Sequence, residues 1–152
     1  VDWLTLPEIG FRLAAELRSP DLVSAGLRQA YYPAPSSFAE APAALVFTNL
    51  VTITPLGGEE LWEGTARVQL MIPANGRLAA EINALEPLVE PILSHFAPGT
   101  DAYHLRQAGS PAQADKCYPA SVEASQVIEY AGHDYSALTI LFDIRFHRAY
   151  GG

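Results

Sequence analysis

Tyr135 to Arg148 reads YSALTILFDIRFHR. Leu138, Ile140, Phe142, Ile144 and Phe146 alternate with Thr139, Leu141, Asp143, Arg145 and His147. Successive strand side chains point to opposite faces, so this period of two marks a strand and not a helix. One face is built for a core. The other is mostly polar and carries both charge signs. A strand this long needs a sheet around it, and the rest of the chain supplies one.

Val122 to Tyr130 precedes it as a second strand, joined through Ala131-Gly132-His133-Asp134, which has hairpin composition. Further upstream, Ala44 to Thr54 reads as a strand in which Leu45, Phe47, Val51 and Ile53 share a parity interrupted by Asn49. Pro55-Leu56-Gly57-Gly58 is turn chemistry. Leu61 to Ile72 returns with Trp62, Ala66, Val68, Leu70 and Ile72 on one side and Glu63, Thr65, Arg67 and Gln69 on the other. These two segments form an antiparallel hairpin. Leu27 to Tyr32 reads as a further short strand, running into Pro33, Pro35 and Pro42, which hold an irregular extended crossing.

Two helical regions separate these strands. Thr5 to Arg18 has capping-box spacing at Thr5 and Glu8, a first-turn Pro7, and an apolar stripe of Leu6, Ile9, Leu13 and Leu17. Ser19-Pro20-Asp21 stops it. The second region, capped by Asn75, runs to about Phe96. Its stripe is Leu78, Ile82, Leu85, Val89, Ile92 and Phe96. Pro87 and Pro91 interrupt it, which predicts a kink or restart near Glu86. Residues 97–119 are rich in Pro, Gly, Ala and polar side chains. They are expected to form a long loop, with a short strand over Tyr103 to Arg106 and the remainder ordered on assembly. Helix, hairpin, helix, hairpin predicts an α+β fold of two layers, a mostly antiparallel sheet packed against two helices. Residues 1–152 then form a single domain.

The composition fits a globular chain: 49% hydrophobic, 17% charged, 152 residues. A net charge of −8 argues against a surface that wraps duplex nucleic acid. Lys116 is the sole lysine and the other eight basic residues are arginines. Arginine suits subunit interfaces through its fixed, forked geometry, although GC-rich codons give the same bias. The single Cys117 excludes an internal disulfide. No apolar run approaches the ~20 residues of a membrane helix, so no membrane role is expected. The chain begins at Val1, as initiator removal before a small residue would leave it, with signal-peptide removal as the other route.

Reactive chemistry finds little to work with. His95, His104, His133 and His147 show no local metal spacing, so no metal is expected. His133-Asp134 sits at a hairpin tip rather than converging from separate elements. Asp101 and His104 have no nucleophile beside them. The serines lack a G-x-S-x-G elbow, and the glycines form no phosphate cradle. No catalytic residue and no cofactor is expected. A different constellation remains: Asp143, Arg145 and His147 on one strand face, and Glu63, Arg67 and Gln69 on another. Mixed charges spaced along strand faces set register between identical subunits.

The order of elements, with the strand LWEGTARVQLMI (Leu61 to Ile72) and the turn YAGHDY (Tyr130 to Tyr135), resembles the tail terminator (tail completion) proteins of long-tailed bacteriophages. The resemblance implies a mechanical role. Six subunits form a ring at the head-proximal end of the tail tube, end its polymerisation and join it to the head connector. The implied partners are other copies of the chain, the major tail tube protein and head–tail connector proteins. DNA passes through the channel without sequence-specific binding. The implied location is the virion, after assembly in the host cytoplasm. Six copies at −8 each carry −48, a charge that lets phosphates slide past. The alternatives are another connector or neck subunit, a secreted adhesion module, and a small-ligand-binding or hydrolytic α+β domain. The last needs a pocket, for which Tyr31, Tyr32, Trp62 and Tyr103 are the candidate lining.

Overall fold

The computed structural model describes residues 3–149, and for residues 49–51 and 124–125 it describes the backbone alone. Val1, Asp2, residues 150–152 and the side chains of Asn49 and Val51 therefore lie outside the described part. The strands are β1 (Gln29–Tyr31), β2 (Ala43–Leu56), β3 (Glu59–Pro73), β4 (Lys116–Tyr130) and β5 (His133–Ala149). They form one sheet in the order β1-β2-β3-β5-β4, antiparallel except for the β1–β2 pair. The helices α1 (Leu6–Leu17), α2 (Pro20–Ala25), α3 (Leu78–Leu85) and α4 (Val89–His95) cover one face, with a 3-10 turn at Glu86–Leu88 between the last two. The fold is α+β, as the alternation of helix and hairpin patterns predicts.

β5 sits inside the sheet because both of its neighbours pair along nearly its whole length. Tyr135 opposes Pro73 on β3 and Ala149 opposes Glu59. Its even-numbered side chains, Leu138 to Phe146, join the main core with Ala66, Val68 and Leu70 of β3. The helices close that core through Ile9, Leu13 and Leu17 of α1, and through Leu85, Ile92 and Phe96. Phe96 meets Phe142 edge-on at 4.9 Å between ring centres, a favoured aromatic geometry.

Several boundaries differ from the sequence expectation, each for a local reason. The β4–β5 turn is only Ala131-Gly132, both with positive φ (52° and 82°), as a two-residue hairpin turn requires. His133 and Asp134 therefore belong to β5. On β2, Ala44 and Val46 face the helices, while Leu45 packs on the other side of the sheet in a smaller cluster with Ala43, Met71, Tyr135 and Ala137. The Pro-rich crossing covers that cluster: Phe38 stacks on Tyr135 at 4.9 Å, and the Tyr130 hydroxyl donates to the Pro35 carbonyl. Leu6 is exposed, and Leu4 takes its place in the core.

Ser19-Pro20-Asp21 ends α1 but also opens α2, since proline fits a first helical turn. Asn75 is not the cap of α3, which begins after Arg77. The Asn75 N–H is instead bound by the Glu81 carboxylate at 2.7 Å. The expected restart occurs at Glu86–Leu88, and Pro91 falls in the first turn of α4, where no N–H is needed. Tyr103 to Arg106 is turn rather than strand, and β4 starts at Lys116.

Residues 97–115 are a fastened segment, not an open loop. Ala102, Leu105, Ala112 and Ala114 are buried. Arg12 of α1, only 6% exposed, reaches across to them. Its guanidinium donates to the Leu105 carbonyl (3.0 Å), the Ala112 carbonyl (2.6 Å) and the Ser110 hydroxyl (2.9 Å). A segment rich in Gly and Pro has few side chains for a core, so a single forked donor from a helix organises its backbone.

Candidate subunit interface

All six of the sequence-selected residues lie on the sheet face opposite the helices. Register explains why. β3 and β5 are neighbours, so Glu63 stands directly across from Arg145, and Gln69 across from Thr139. The odd-numbered side chains of both strands then share one face. The two groups, read separately in sequence, are one surface in the fold.

That surface is internally paired over one end. Arg145 meets Glu63 at 3.4 Å, and Lys116 meets Asp143 at 3.7 Å. His147 lies between Asp115, in close contact, and Glu59 at 3.9 Å. Lys116, Glu63, Asp143 and Arg145 line a cleft of about 190 Å³. These pairs are half exposed, so solvent screens them and their effect on stability is small. Their effect is on pattern: charges of both signs sit side by side on β3, β5 and β4. Gln69 and Thr139, 8% and 4% exposed, lie further along the same face. Arg67 lies over the Phe47 ring at 5.0 Å.

The sheet ends in two long free edges. β1 pairs with β2 only over Ala43–Leu45, so from Val46 to Leu56 no described strand lies against the outer edge of β2, the edge away from β3. On the other side, the full outer edge of β4 is unpaired among the described residues. Val122 and Val127 of β4, and Ile53 and Leu56 of β2, are exposed, each between 45% and 49%. Long apolar edges invite pairing with another strand. β4 has lysine only at its start, and its Pro119 sits beside a register shift, so little along the strand blocks such pairing.

The helical side offers ionisable groups of a different kind. The ring nitrogens of His95, at the end of α4, face Glu16 at 2.7 Å and Asp21 at 2.8 Å, which ties α1, α2 and α4 together. For Asp21, partial burial pushes the carboxyl up. Hydrogen bonds from Ser19 and His95, and the charge of His95, outweigh it and hold the group below its usual range. Cys117 is fully buried. Burial, and then the negative charge of Glu16, push its thiol well above the ordinary range, which makes it a poor nucleophile. Among the described residues, no group of three or more His, Cys, Asp or Glu side chains is arranged to hold a metal. None of the described helices is long and apolar enough to cross a membrane.

The four aromatic residues considered for a ligand pocket do not converge. Tyr32 packs edge-on against Phe11, Tyr31 against Phe38, Trp62 against Phe146, and Tyr103 against Tyr118. Sequence reasoning missed Glu59, Asp115 and Lys116 as members of the charged surface. Cys117 and Pro119 are buried and alternate with the outward-facing Lys116 and Tyr118, which is strand alternation. The proline hid that signal, because proline in a run argues against a strand. No protein-family model matches the chain, and no curated protein matches its sequence.

Proposed function

We propose that this chain is a ring-forming structural subunit that caps the tail tube of a long-tailed bacteriophage, ends its polymerisation and joins it to the head connector. The observation that carries the reading is the pair of free sheet edges. Strand directions alternate along β2, β3, β5 and β4. Repeating the subunit by rotation about an axis along the strands therefore sets β4 of one copy antiparallel to β2 of the next. Such a contact uses two different patches, and a head-to-tail contact of that kind gives a ring when the rotation between copies closes. A two-fold dimer would leave one edge of each subunit unused.

The order of elements supports placing the ring at the tail, since it is the order the resemblance rests on. Charge distribution is consistent with a DNA channel. The outer sheet face holds both signs in pairs, while Glu8, Glu16, Asp21, Glu86 and Glu90 add acid on the helical layer. An acidic ring repels phosphates and leaves no sequence-reading contact. The role is complementary docking rather than turnover. One ring face matches the last tube ring, and the other does not resemble a tube subunit, so growth stops.

The test is co-assembly with the major tail tube subunit of a long-tailed bacteriophage. Electron micrographs of tubes grown with the chain should show one end closed by a ring and tubes of limited length. Tubes of unchanged length, with no added density at either end, would overturn the proposal.

A further inference from the structure

Arg67 differs from Arg145 and Lys116, the other arginine and lysine of the outer face. Glu63, Asp143, Arg145 and Lys116 each have a partner of opposite sign within the chain. Among the described residues Arg67 forms no ion pair, and its Nε is buried without a hydrogen-bond partner. A half-buried cation without an acid is costly, because desolvation is not offset. The side chain lies over Phe47. Phe47 belongs to β2, so the guanidinium reaches from β3 toward the free β2 edge.

At the opposite edge of the sheet, Glu123 on β4 has the complementary features. It is exposed and forms no ion pair among the described residues. Its register partner is Thr139, which faces outward beside Gln69, so Glu123 lies on the same sheet face as Arg67. Rotation of one copy onto the next keeps that face continuous and brings β4 beside β2. A neighbouring strand lies about 4.8 Å beyond β2, within reach of a guanidinium already extended over Phe47. Closing a ring from tilted strands staggers adjacent edges by a few residues, which moves Glu123 past the short β1 and along the open part of β2.

We propose that Arg67 donates to Glu123 of the adjacent copy, and that this pair sets the register of the β2–β4 contact around the ring. The inference rests on the ring reading and names the contact that directs it. An arginine fork binding a carboxylate bidentately fixes geometry as well as charge, which suits a register device. The acid comes from a second copy of this chain, since Glu123 is itself an unneutralised carboxylate at the edge that the ring brings against Arg67.

Native mass measurement across a concentration series tests it with Arg67→Glu, Glu123→Arg and the double exchange. Thermal melts establish that each variant is folded. Each single exchange should raise the concentration for half-assembly at least about tenfold, and the double exchange should restore it, as coupled charge pairs do. Should Arg67→Glu fail to fold, Glu123→Arg on the exposed edge still reads the same contact, with Glu123→Gln as the neutral variant. A ring unaffected by any Glu123 exchange would overturn the pair and leave the ring intact. A wild-type chain that forms no ring, alone or on tubes, would overturn the ring reading and the pair with it.

Discussion

Replacing Arg12 by methionine should loosen one whole side of the molecule. The side chain is almost fully buried, and its guanidinium satisfies the carbonyls of Leu105 and Ala112 and the Ser110 hydroxyl. Methionine fills much of the same volume but donates nothing. Hydrogen bonds from a charged donor contribute about 1.5–3 kcal/mol each, so two orphaned carbonyls correspond to roughly 3–6 kcal/mol. Removing the desolvation cost of the buried cation offsets part of this, which leaves about 3 kcal/mol. For a chain of this size that is a fall in Tm of about 6–12 °C. Amide exchange localises the effect. The N–H of Arg106, bound to the Asp101 carbonyl, and that of Ala114, bound to the His104 carbonyl, should lose protection. Amides of β3 and β5 should keep theirs until global unfolding. Arg12→Lys should recover only part of the loss, because a point charge cannot fork between two carbonyls and a hydroxyl. If Arg12→Met melts within about 1 °C of the wild type and the 102–115 amides stay protected, the fastening role is wrong.

Gly10→Ala should destabilise the chain although alanine favours helices. A β-carbon there falls 2.3 Å from the Tyr32 ring, which is held edge-on by Phe11, so overpacking of about 1–3 kcal/mol exceeds a propensity gain of about 1 kcal/mol; calorimetry reads the sign, and a stabilised variant refutes the fit. Cys117 should resist iodoacetamide in the native state and react on unfolding in urea, since it is buried and its thiol is pushed up; labelling at the rate of a free peptide thiol refutes this. Burial, followed by the neighbouring Tyr135, raises the Tyr130 phenol, so the neutral form is favoured by folding. Its contribution is fully present below the unfolded-state value near 10 and is lost as pH rises through the higher folded value. Tyr130→Phe should therefore flatten the alkaline limb of a stability–pH curve, and parallel curves refute it.

Much of the fold is legible in the sequence because β3 and β5 carry clear alternation and two helical regions carry apolar stripes. The assignments that differ are those set by tertiary contacts. Leu45 has the hydrophobicity of a core residue, but only the Pro-rich crossing decides which sheet face is its core. Glu81 takes over the Asn75 N–H and binds the buried Ser136 hydroxyl, a linkage no local pattern reports. Residues 97–115 read as loose because the guanidinium that orders them sits about a hundred positions upstream. The charged surface is half legible. Period-two spacing reveals Asp143, Arg145 and His147, but strand order decides that Glu63 faces Arg145 and that Arg67 faces no acid. Strand order is a long-range property, and neither composition nor periodicity encodes it.

The central claim is that the two free sheet edges meet head to tail. Native mass spectrometry of the purified chain, from dilute solution upward and on tube ends, tests it most directly. The account predicts monomer passing to a closed ring of six, with no stable species between. A stable dimer that persists on dilution and binds no further copies would contradict it.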